Sequence, residues 1–153
     1  MAAARIALAI IVGILIALAL PDYIGLGVGF WSFVGHSDLT SKEASQYLWL
    51  SLYCAGMVIL LSGLAIAVLL QFTKMASKGP MLIAVVAVPT LVLASLHVVA
   101  VHIGAAWIQG EARNLFADPS EDHAWMVIAA SLAAIIMFFL HRVHSGQAIG
   151  DPA

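Results

Sequence analysis

Four stretches of this chain run for about twenty residues or more with almost no charge, and a segment of that kind is most stable in hydrocarbon. They are residues 2–20, apolar except for Arg5, then 48–72, 81–109 and 124–144, where His141, Arg142 and His144 form the last turn. Composition agrees with that reading. The 153 residues are 63% hydrophobic and 9% charged, with a mean hydropathy of +1.07, whereas soluble domains carry about 25% charged residues. Too few polar groups exist to cover a surface in water. The expected class is an all-α integral membrane protein, with residues 1–153 forming one domain of four transmembrane helices in an up-down bundle. Residues 21–47 and 110–123 are then its outer loops. The third span is the longest and should tilt or project, and Pro89 removes one backbone donor within it.

The charges are segregated, and their distribution orients the bundle. Arg5 precedes the first span, the link between spans 2 and 3 carries Lys74 and Lys78 with no acid, and Arg142 lies near the C-terminus. The other two links hold Lys42 and Arg113 together with Asp22, Asp38, Glu43, Glu111, Asp118, Glu121 and Asp122. Positive residues gather on the cytoplasmic side. Both termini are therefore expected in the cytoplasm, N-in and C-in, across a bacterial cytoplasmic (inner) or intracytoplasmic membrane. Trp31, Tyr47, Trp49, Trp107 and Trp125 then all fall on the outer side, where an amphipathic ring suits headgroup depth. Arg5 before an apolar run that stops at Pro21 also has the outline of a signal peptide, but the segment is read as a true span.

Within the first outer loop, "YIGLGVGFWSFVG" is apolar and glycine-rich and is expected to lie along the interface, re-enter the membrane or dock on a neighbour. Gly25 and Gly29, four apart, have the spacing of close backbone approach, although loop flexibility is the favoured account of them. Thr40 or Ser41 should cap the second helix. Asp118 or Ser120 should cap the fourth, with acids in its first turn.

Histidine is the residue type that bears on chemistry. His97 and His102 lie inside the third span, and five residues at 100° each set them roughly 140° apart around the helix. They face different neighbours and cannot chelate one metal together. A haem held between two helices needs histidines from both at similar depth. Spans 1 and 2 contain none, and span 4 offers only Ala, Ile, Ser and Met opposite His97. The two sites singled out are thus His97 and His102, as single contacts to a haem, a (bacterio)chlorophyll or a quinone shared with another subunit, or as structural groups, His97 bonded to Ser95, Thr90 or a neighbouring helix carbonyl and His102 to the outer loop or a partner. A copper set of His36, His102, His123 and Met126 has suitable donors but no ligand spacing behind it, so no metal is expected. His141, Arg142 and His144 suit a helix C-terminus and an anionic leaflet.

Several function classes lack their residues. No span carries Asp, Glu, Lys or Arg between its ends apart from Arg5, which weakens ion-coupled transport. There is no nucleophile beside a base, no intramembrane carboxylate pair and no phosphate-binding loop, so the chain is not expected to be catalytic on its own. The lone Cys54 excludes an intramolecular disulfide. Nothing resembles a nucleic-acid-binding stripe. Ala55, Gly56, Ser62 and Gly63, and Ala129, Ala130, Ala133 and Ala134, form small-residue faces for helix contact. The expected function is an accessory or anchor subunit of a larger bacterial membrane complex engaged in respiratory or photosynthetic electron transfer, with other membrane subunits and lipid as partners. The alternative is a small homo-oligomeric channel or transporter lined by His97, Thr90 and Ser95.

Overall fold

The structure, a computed structural model, describes residues 2–34, 36, 40–73, 79–103 and 120–147. It is all helix, with no strand among the described residues. The helices are α1 (Ala2–Val34), α2 (Ser41–Leu70), α3 (Gly79–Ile103) and α4 (Ser120–Gln147). All four are long and apolar enough to cross a membrane. Each packs on its chain neighbour and α4 returns to pack on α1, so the four surround a single core. Val12, Ile16 and Tyr23 enter it from α1, and Leu50, Met57, Leu61 and Leu64 from α2. Ile83 and Ala87 come from α3, and Val127, Ala130, Ala134 and Met137 from α4.

The buried positions of α2 fall at Leu50, Cys54, Met57, Leu61, Leu64 and Val68, a stripe of three- and four-residue steps along one face. The intervening Leu52, Ile59, Ile66 and Leu69 are exposed and just as apolar. A helix hydrophobic all round belongs in lipid or inside protein, and here the core face is chosen by shape and small residues.

α1 departs from the expected boundaries. In place of a helix ending at Leu20 and a loop from Pro21, one helix runs through Pro21 to Val34. Proline removes a single backbone donor and crowds the preceding turn. That cost is offset by burial of Tyr23 and Phe30 beyond it and by their ring contacts with Tyr53 and Tyr47 of α2. The glycine-rich stretch is part of this helix, and its close approach is at neither Gly25 nor Gly29, where an added Cβ would meet nothing. A Cβ on Gly27 would lie 3.1 Å from Cβ of Cys54. Ser51 donates to the Gly27 carbonyl at 3.1 Å beside it.

The start of α2 matches the expectation for Thr40. Its hydroxyl accepts from the Glu43 amide at 3.4 Å, and the Glu43 carboxylate accepts from the Thr40 amide at 2.9 Å, which satisfies two backbone donors reciprocally. α4 starts at Ser120; Asp118, the other expected cap, lies outside the described residues. So does the end of the third span beyond Ile103.

Contacts pair the residues of successive helices in opposite order. Arg5 meets Gln71, Gly27 meets Ser51 and Cys54, and Phe30 meets Tyr47. Gly63 meets Val86, while Tyr53 meets Leu93 and His97. Nε2 of His123 on α4 lies 2.7 Å from Oδ2 of Asp22 on α1. From Arg5 to Asp22, α1 rises about 26 Å, and the 21-residue apolar stretch His123–Val143 of α4 rises about 30 Å, close to the hydrocarbon thickness of about 30 Å. Beyond Asp22, α1 continues for about another 18 Å to Val34.

Candidate functional site

A cluster of polar and aromatic side chains inside the bundle joins three helices. His97 of α3 is only 2% exposed. Its Nδ1 lies 3.1 Å from the Tyr53 hydroxyl of α2, and that hydroxyl is also 3.3 Å from the Leu93 carbonyl. Tyr53 has one proton to give. Whether His97 Nδ1 donates to the phenolic oxygen or accepts from it follows the ring's tautomer. Tyr23 of α1, 1% exposed, completes the group. Its ring lies edge-on to His97 with centroids 6.3 Å apart and is tilted against Tyr53 at 6.3 Å. Tyr53 and His97 are themselves edge to face at 5.6 Å. The Tyr23 hydroxyl is enclosed beside that of Tyr53.

The sequence register explains why these three meet. Tyr23 follows Asp22, so the cluster lies at the level of the Asp22–His123 pair. Measured against α1 and α4, His97 stands level with Asp22 and His123, because α1 and α2 rise past it. Its partner is a tyrosine that carried no mark in the sequence, since Tyr53 sits in an apolar run and Tyr23 fell in a supposed loop. Two tyrosines and a histidine, each embedded among aliphatic residues, were the available signal.

The other candidates lie elsewhere. His102 is on α3, 140° around the helix from His97, and its side chain lies outside the described residues. The His123 and His36 imidazoles have different partners. The former lies against Asp22, and the latter is tilted against Phe33 and places Nδ1 3.1 Å from the Ser32 carbonyl. Among the described residues, no group of three or more His, Cys, Asp or Glu could hold a metal ion. Thr90, fully buried, donates to the Val86 carbonyl at 2.6 Å and so bonds within its own helix. Tyr53, His97 and Thr90 thus bond protein atoms, and the first two join α2 to α3.

At the opposite end of α1, Arg5 donates through Nη2 to Oε1 of Gln71 at 3.4 Å. Gln71 is 4% exposed. Two apolar grooves run between α1 and α2. One of about 450 Å³ is bordered by Ile24, Gly27, Val28, Trp31, Ala55 and Ile59. The other, about 280 Å³, is bordered by Ile6, Ala9, Ile10, Val68, Leu69 and Phe72. Comparison with family models, curated proteins and solved structures finds no match to this chain.

Proposed function

We propose that this chain is an accessory or anchor subunit of a larger bacterial membrane complex, with its four helices in an up-down bundle and both termini in the cytoplasm. The opposite-order contacts between successive helices support the topology, and the basic residues near Arg5, Lys74 and Arg142 support the orientation. One observation carries the subunit reading. At 33 residues, α1 is about 50 Å long, some 20 Å more than the hydrocarbon layer needs. The excess, Tyr23 to Val34, stays apolar on the outside: Ile24, Val28, Trp31 and Phe33 are exposed, as are Trp49 and Leu52 of α2 beside it. Contiguous apolar surface beyond the level of Asp22 and His123 calls for protein against it.

The complex is read as an energy-transducing one, respiratory or photosynthetic. His97 is enclosed and bonded to Tyr53, so a contact to a partner-held haem, chlorophyll or quinone falls to His102, on another face of α3. The test is native mass spectrometry after mild extraction from the source membrane. A mass well above 16.1 kDa that breaks into different proteins is the expected result. A clean multiple of 16.1 kDa overturns it in favour of a homo-oligomer. Loss of a visible absorption band from the intact complex in His102→Ala, but not in His97→Ala, would identify the contact.

A further inference from the structure

We infer that the side chains of Arg5 and Gln71, where the start of α1 meets the end of α2, enclose a site for a single chloride ion. Two stranded donors define it. Gln71 is 4% exposed, yet its amide Nε2 has no acceptor, and Arg5 Nε is buried without one as well. Buried donors are normally paired, and leaving one unmade is costly. The two belong to groups already in contact, because Arg5 donates through Nη2 to Oε1 of Gln71 at 3.4 Å. In a planar guanidinium the Nε–H and one Nη2–H leave the same edge in parallel. The stranded Nε–H therefore points to the side that Gln71 occupies, and the stranded Nε2 sits on the same carboxamide as the accepting Oε1.

Charge selects an anion as the missing acceptor. Gln71 is neutral, and Arg5, half-buried, makes no ion pair with a carboxylate among the described residues. A partly buried cation without a counter-charge is unfavourable, and an anion relieves this where a water does not. Enclosure then selects its size. Both stranded nitrogens are closed to solvent, so a bulky oxyanion or a lipid headgroup cannot come between them, whereas an acceptor of one atom can. Chloride accepts from several N–H groups at once without a directional demand, and its single charge matches one guanidinium. Bound there, it ties the first turn of α1 to Gln71, the C-cap of α2.

The site stands whether or not the chain is a subunit, because it lies wholly within one α1–α2 pair. To test it, full-length protein is unfolded reversibly in bicelles in sodium chloride and, at equal ionic strength, in sodium gluconate, whose anion is too large to enter. Chloride should stabilise wild type with the concentration dependence of one bound ligand. The unfolding constant then falls about tenfold once chloride is ten times its dissociation constant, and bromide should substitute for it. Arg5→Gln should lose the dependence. So should Gln71→Leu, which deletes the amide at similar volume and carries the test if Arg5→Gln does not fold. Equal stability of wild type in the two salts overturns the inference and leaves a buried water as the acceptor. A chloride dependence that survives Gln71→Leu overturns it as well, since the ion would then lie elsewhere.

Discussion

Replacing Tyr53 by phenylalanine keeps the ring and deletes one oxygen, so it isolates the polar link between α2 and α3. That oxygen lies 3.1 Å from His97 Nδ1 and 3.3 Å from the Leu93 carbonyl. In an apolar interior, stranding a polar partner costs about 1–3 kcal/mol. Helices separated within a membrane still find other partners, however, and interhelical bonds there average about 0.6 kcal/mol, with a maximum near 1.7. The Leu93 contact adds little, because that carbonyl lies within α3. Tyr53→Phe should therefore destabilise the bundle by about 1 kcal/mol, with most of the loss coming from the His97 bond. The assay is reversible unfolding in bicelles on a double-mutant cycle of Tyr53→Phe and His97→Phe. The two changes should couple by about 1 kcal/mol, well above the ~0.3 kcal/mol scatter of independent sites. A neutral Tyr53→Phe with no coupling would refute the claim that this pair cross-links the helices.

Three further outcomes follow from the geometry. Gly27→Leu should destabilise by about 1–3 kcal/mol through overpacking against Cys54 and raise maleimide labelling of that buried thiol, while Gly25→Ala, with open space around it, should be neutral. Asp22→Asn should cost less than about 1 kcal/mol in the same unfolding assay, because the pair's side chains are 40% and 22% exposed and solvent screens them. Thr40→Ala should remove about 1 kcal/mol of cap energy, visible as faster amide exchange in the first turn of α2 with unfolding elsewhere unchanged.

Hydropathy is a local property that sums along the chain, which is why the four spans and the Thr40 cap were legible in the sequence by itself. Even the histidine spacing on α3 was readable, since helical geometry fixes 140° between His97 and His102 without any tertiary information. The length of α1 was not. Pro21 and three glycines spelled a loop in local terms, and only contact with α2, through Tyr23, Gly27 and Phe30, makes helix the lower-energy state there. Nor could the sequence show which face of each helix turns inward, because Leu50 and Leu52 are chemically identical and differ only in what lies opposite. The Tyr23, Tyr53 and His97 cluster spans 74 residues of chain and exists through the relative register of three helices. Register is set by where small residues let backbones approach, as at Gly27 and Cys54, and that is a property of pairs of helices. The sequence therefore determined that the chain belongs in lipid and roughly where its helices begin, while tertiary contact decided how far they run and which polar groups they bring together.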